Sequence, residues 1–279
     1  MFFGLTNSLA TFQAMMDDIF QEEIAQGWLH IYMDDTIIAT ADDNEEHSAR
    51  VHQFLDKLER NDLYLKPEKC QFHQKEVEYL GVIIGGGQVQ MDPVKVAGIA
   101  KWPTPTTIKE VRSFLEFCNF YCAFIPTFSH ITQPLNDLTK KNQKWTWDSA
   151  EETAFQTLKD ICTSYPVLHT PDWSKQFILE TNASRYALGA ILMQEFEDGL
   201  HPVTFHSCSL LPAEKSYDAH DKEFASVVFG FKCSQPFHLG AKHVVKVHTD
   251  HKNLQYFHEP QKITGRQACW MEFLQDFDY

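Results

Sequence analysis

Apolar residues along this chain recur first at helical spacing, then in short strand-forming runs, and then at helical spacing again. From Asn7 onward, Phe12, Met15, Met16, Ile19 and Phe20 fall three and four residues apart, which predicts a helix capped by Asn7 or Ser8 and running to about Gly27. Ile31 and Tyr32, then Thr36, Ile37 and Ile38, are strand formers on either side of Asp34-Asp35, so this stretch predicts a hairpin with two carboxylates at its centre. Asp42, Asp43 or Asn44 caps a second amphipathic helix that turns Val51, Phe54, Leu55 and Leu58 inward. Val77 to Ile84 predicts a strand, Gly85-Gly86-Gly87 a turn, and Gln88 to Met91 the returning strand.

Beyond Met91 the pattern is helical and punctuated by proline. Asp92-Pro93 opens a helix that Pro103 and Pro105 stop. Thr107 with Glu110 predicts a capping box ahead of Phe114, Leu115, Cys118 and Tyr121, and another helix starts near Asp148 with Ala154, Phe155, Leu158 and Ile161 inward. Strands return over 176–184, 186–194 and 202–210, followed by a helix over 221–231, a strand over 243–249 and a helix over 265–277. That order predicts an α/β sheet with helices on its faces.

Composition bounds the picture without deciding it. The 279 residues suffice for two or three domains, and no apolar run approaches the roughly 20 residues of a membrane span. The first residues lack the basic flank and apolar core of a secretory signal, so the expectation is an intracellular protein, in a cytoplasmic particle or the nucleus, with no membrane partner. Seven cysteines without a CxxC pair read as reduced thiols, and the fourteen histidines show no zinc spacing. A net charge of -14 argues against a protein that simply coats phosphates, but not against one that grips a duplex in a local groove. Asp34-Asp35 has two readings: aspartates are common in turns, and a tight turn between buried strands also lifts carboxylates to a rigid rim, where they can hold Mg²⁺.

Further segments separate these readings. FGLTNSLATFQ at 3–13, YMDD at 32–35, YLG at 79–81, the run at 101–139 containing IKEVRSFLEFCNFYCAFI, LETNASRYALGAILMQ at 179–194 and TDHKNL at 249–254 occur in one order. The series resembles the reverse transcriptase and RNase H region of the pol polyprotein of gypsy-type LTR retrotransposons. The resemblance covers essentially the whole chain. It implies an α+β and α/β protein with three parts: a partial reverse transcriptase palm sheet over 1–91, a small helical thumb- or connection-like region over 92–168, and an RNase H-like mixed sheet with helices over 169–279.

The resemblance also implies RNA-directed DNA polymerase and RNase H activities working by two-Mg²⁺ phosphoryl transfer. The implied partners are an RNA/DNA template-primer, an RNA-DNA hybrid, deoxynucleoside triphosphates and the rest of a pol polyprotein. By matching position, Asp34 and Asp35 are the polymerase metal ligands, Phe3 and Gly4 line the incoming nucleotide, and Leu80 and Gly81 grip the primer. Glu223 and Asp250 match two RNase H metal carboxylates. The first RNase H carboxylate falls at Asn182, which keeps an oxygen but not the charge. Glu180 shares that strand face but lies roughly 6.6 Å along it, too far to substitute.

The family's first palm aspartate lies upstream of its FGL segment and its fourth RNase H aspartate lies downstream of the region matched here. The expectation is therefore that this chain alone is impaired in both activities. A non-catalytic remnant, binding nucleic acid or a protein at most, is the alternative reading. Leu9, Glu116 and Cys122 also depart from the family pattern, which has proline, glycine and arginine there. With Asn182, all four are reachable by C-to-T or G-to-A changes, which motivates the hypothesis of cytosine deamination. An excess of transversions against intact relatives would reject it.

Overall fold

The computed structural model describes residues 7–41, 43–164, 166–239, 241–249 and 264–279. It divides into two units, 1–86 and 87–279.

In the first unit, α1 (Ser8–Ile19) and α2 (Gln21–Ala25) replace the single helix expected as far as Gly27. The break falls at Phe20, whose ring is fully buried 5.1 Å from that of Phe54, so tertiary packing interrupts a continuous apolar stripe. Gly27, at φ 80°, ends the second helix in a conformation only glycine adopts freely. The predicted hairpin is present as β1 (Leu29–Tyr32) paired with β2 (Asp35–Ile38). The following helix, α3 (Asn44–Arg60), is capped by Asp43, which accepts from the amides of Glu45 and Glu46. Met16, Phe20, Trp28, Leu29, Phe54 and Leu58 form the core beneath the hairpin. The strand expected over 77–84 is instead a second hairpin, β3 (Glu76–Tyr79) and β4 (Val82–Gly85). Its turn is Leu80-Gly81, both at positive φ, the geometry of a two-residue turn that favours glycine at its second position.

The second unit begins with β5 (Gln88–Met91) and α4 (Pro93–Ala100), capped by Asp92 as expected. Next come α5 (Ile108–Phe120), α6 (Phe128–Ile131), α7 (Gln133–Leu138) and α8 (Ser149–Thr163). The capping box expected at α5 is only half formed. Thr107 accepts from the Glu110 amide, while the Glu110 carboxylate turns to the amide and hydroxyl of Thr106, which together offer two donors. Phe114 and Phe155, 4.6 Å apart, join α5 to α8. A short strand, β6 (Val167–His169), pairs antiparallel with β5.

The remaining sheet has the order β10-β7-β8-β9, built from β7 (Phe177–Ala183), β8 (Ala187–Phe196), β9 (Gly199–Ser209) and β10 (Lys246–His248). β10 runs parallel to β7, and the other pairs are antiparallel. Between β9 and β10 the chain forms α9 (Ala219–Cys233) and α10 (Gln235–His238), and α11 (Gly265–Leu274) follows β10. Phe224, Val227, Val228 and Phe231 of α9 share one core with Phe177, Leu179, Ala190 and Leu192 of the sheet. Gly230 permits this approach, since a Cβ there would stand 3.1 Å from a Leu179 methyl and 3.2 Å from Ala190.

His238 packs under this core, its Nε2 2.8 Å from the Ser234 hydroxyl. Burial, and then the neighbouring His206, hold its pKa down to about 4, below the ordinary 6.5. The unfolded chain therefore binds a proton there over pH 4–6.5 that the folded chain refuses, so this contribution is complete above 6.5 and lost as pH falls toward 4. By linkage it is worth on the order of 3 kcal/mol. Urea melts of wild type and His238→Phe should converge or cross as pH drops from 7 to 4.5; parallel pH profiles would contradict this.

Candidate active sites

The first site is the tip of the β1-β2 hairpin. Tyr32 pairs with Asp35, leaving Met33-Asp34 as a two-residue turn with both aspartates exposed. Met33 adopts φ 53°, a region that costs a residue with a side chain on the order of 1 kcal/mol or more, and the surroundings must hold it there. Gln13 of α1 does so. Its Oε1 accepts from the Met33 amide at 2.6 Å, while its Nε2 donates to the Ile31 carbonyl at 3.1 Å and to Asp17 at 2.8 Å. Tyr79 of the second hairpin senses the site: burial, and then the Asp35 charge, push its phenol up from the usual value. Leu80 is 40% exposed at the adjoining turn.

Gln13 was not among the expected site residues, although it closes the FGLTNSLATFQ segment as a polar position between Phe12 and Met15. Gln13→Ala should cost about 1–2 kcal/mol, through the lost bonds and the strained turn left unsupported. It should also speed hydrogen exchange at the Met33 amide by roughly tenfold or more. Unchanged exchange there would show that the turn holds itself.

The second site lies at the end of β7. Glu223 of α9 is only 8% exposed, and its Oε1 accepts from the Ala183 amide at 3.2 Å, one residue past Asn182. Positions 182 and 223, 41 residues apart in sequence, thus meet at one strand end. Asn182 lines a cavity of about 230 Å³ with Thr127, His130, Ser184, Gly189 and Ser207. β10 reaches from opposite Ile178 to opposite Glu180, so the chain there heads toward the same end.

Two residues before Glu223, a clamp that the sequence did not announce ties α9 to α11. Asp221 is buried, pairs with the Arg266 guanidinium and accepts from Gln267 Nε2 at 2.8 Å. Arg266 lies 3.8 Å over the Tyr217 ring. Phe3, Gly4 and Asp250 lie outside the described residues.

Carboxylate oxygens are hard donors suited to Mg²⁺, and Asp34 with Asp35 offers two side chains of them facing solvent. The Asn182-Glu223 pair suits the ion less well, because one donor is a neutral amide. Among the described residues no group of three or more His, Cys, Asp or Glu is arranged to hold a metal ion.

This fold is that of a reverse transcriptase joined to an RNase H-like domain. The structure of the foamy viral protease-reverse transcriptase in complex with dsDNA superposes with a TM-score of 0.78 at 20% identity, covering 99% of this chain and 57% of that one. The same viral protein in complex with an RNA/DNA hybrid gives 0.77, again at 20% identity, over 99% of this chain and 38% of that one.

Residues 1–84 match the family model described as reverse transcriptase (RNA-dependent DNA polymerase), and 172–277 match the RNase H-like domain found in reverse transcriptase. The Tf2-3 and Tf2-4 transposon polyproteins of Schizosaccharomyces pombe are 33% identical over 99% of this chain. The chain spans 21% of the length of those polyproteins. It belongs to the reverse transcriptase and RNase H region of gypsy-type LTR retrotransposon pol polyproteins. Among the described residues no helix is long and apolar enough to cross a membrane.

Proposed function

We propose that this chain is the palm, connection and RNase H portion of a retrotransposon polymerase, with the parts at 1–91, 92–168 and 169–279. Its substrates are an RNA/DNA template-primer with deoxynucleoside triphosphates and the RNA strand of a hybrid. The observation that carries the reading is the contact of the Glu223 carboxylate with the backbone beside Asn182, because it joins two separately matched RNase H positions.

Asp34 and Asp35 would hold Mg²⁺ at the polymerase centre. Glu223 and Asp250 would do so at the nuclease centre, with Asn182 as the weak member. Bound there, the cations neutralise charge on the reacting phosphate. The chain's own contribution is to orient the donors. The hairpin and Gln13 fix the aspartate pair, and the Ala183 amide steadies Glu223. Phe3 and Gly4 serve the incoming nucleotide, and Leu80-Gly81 the primer strand.

In the nuclease half the missing charge at 182 predicts weak or absent cleavage by the chain as it stands. That outcome would suit a binding remnant equally well, so the discriminating experiment is restoration. RNA-strand cleavage of a labelled hybrid by Asn182→Asp, abolished again by Glu223→Gln, supports the reading. No cleavage by Asn182→Asp would favour the remnant.

A further inference from the structure

The loop between α7 and α8 carries Lys140, Lys141, Lys144, Trp145 and Trp147, a local basic and aromatic run in a chain whose net charge is -14. Trp147 is fixed from the inside. Its indole N–H donates to Glu152 at 2.8 Å, and its ring meets buried Phe155 edge-on at 6.0 Å. Trp145 stacks on Trp147, with centroids 5.8 Å apart and planes 20° apart, yet remains 37% exposed. The loop ends at Asp148, whose amide donates to Glu151 at 2.9 Å where α8 begins. A flat aromatic surface is thus held outward on a rigid mount.

The neighbouring acids are already engaged: Asp137 with Lys140 at 2.5 Å, Glu152 with Trp147, and Glu151 with the backbone. Lys141 and Lys144 are exposed and make no ion pair among the described residues. An indole face accepts any nucleobase by stacking, and lysines beside it meet the connecting phosphates. A duplex hides its base faces, whereas a single strand offers them.

We infer that the loop over 139–148 is a contact for single-stranded nucleic acid, with a base on Trp145 and phosphates at Lys141 and Lys144. This deepens the proposed function, on which it rests only in expecting a nucleic-acid partner.

The test is equilibrium binding of the full chain to labelled oligo(dT) of about 16 nucleotides, the span of one binding fold, beside a DNA duplex and an RNA/DNA hybrid of equal length. Trp145→Ala should weaken single-strand binding roughly tenfold, with Trp145→Phe intermediate. The Lys141→Gln/Lys144→Gln chain should flatten the dependence of log K on log salt by about 1.4. Duplex and hybrid binding should stay unchanged in all three. Equal single-strand affinity in Trp145→Ala together with an unchanged salt slope would overturn the inference, as would equal losses on duplex. Loss of hybrid binding in wild type with the single-strand effects intact would instead count against the proposed function alone.

Discussion

Asn182→Asp should raise Mg²⁺-dependent cleavage of the RNA strand by about a hundredfold or more over the chain as it stands. The magnitude follows from the metal-holding role proposed for the position. A group aimed at charge that develops in the transition state is typically worth about 3–4 kcal/mol, and a neutral amide supplies little of it. Glu223 is already buried and held by the Ala183 amide, so the substitution adds the missing charge to a supported neighbour.

A readout independent of turnover accompanies this. Without metal, a second carboxylate near Glu223 adds like-charge repulsion, so Asn182→Asp should melt slightly lower than wild type. With Mg²⁺ well above its dissociation constant it should gain on the order of 2–3 kcal/mol, a shift of several degrees that the wild type lacks. Neither a magnesium-linked melting shift nor cleavage in the variant would mean that positions 182 and 223 do not share an ion.

Lys57→Ala destabilises the first unit by about 3–5 kcal/mol, the cost of leaving a buried charge without its partner. Glu23 is only 2% exposed, and both its oxygens contact the Lys57 ammonium, at 2.9 and 2.7 Å. Gln53 adds a third bond at 3.3 Å. Burial alone would push Glu23 up, but the Lys57 hydrogen bond and charge, with the remaining bonds, outweigh it and leave its pKa below the ordinary 4.5. A depressed carboxylate stabilises the fold above the unfolded value and loses that contribution as pH falls through the folded one.

Removing Lys57 leaves burial in control, so the Glu23 pKa rises. The deficit of the variant should then be largest near neutrality and shrink in acid, where the carboxyl is protonated. Urea melts at pH 7 and pH 4.5 check this. A cost under about 1 kcal/mol, or a deficit that grows in acid, would show that solvent reaches the pair. The double variant Glu23→Leu/Lys57→Leu should recover most of the loss, because the cost of burying either charge disappears with the pair.

Period and punctuation in the sequence determined much of the architecture. The strand formers on either side of Asp34-Asp35, the Asp92-Pro93 start and the strands over 176–210 are local signals, and they appear where expected. The ordered motifs likewise identified the family before any contact was known. Tertiary structure decided what local preference could not. Leu80-Gly81 became a turn because two successive residues take positive φ, a choice invisible in a run that otherwise reads as one strand. Phe20 broke a helix in order to pack on Phe54. The short elements α6, α7 and β6 have too few residues to show a period, so packing alone defines them.

The same division runs through the candidate sites. The hairpin pattern pointed to Asp34 and Asp35 as one of two readings, and the family resemblance selected the metal reading for them and nominated Asn182 and Glu223. Gln13 beneath the hairpin, the Ala183 amide at Glu223 and the Asp221-Arg266 clamp join residues 20, 40 and 45 positions apart. Such contacts form only when the chain closes on itself, because a hydrogen bond depends on distance in space and leaves no periodic trace along the sequence.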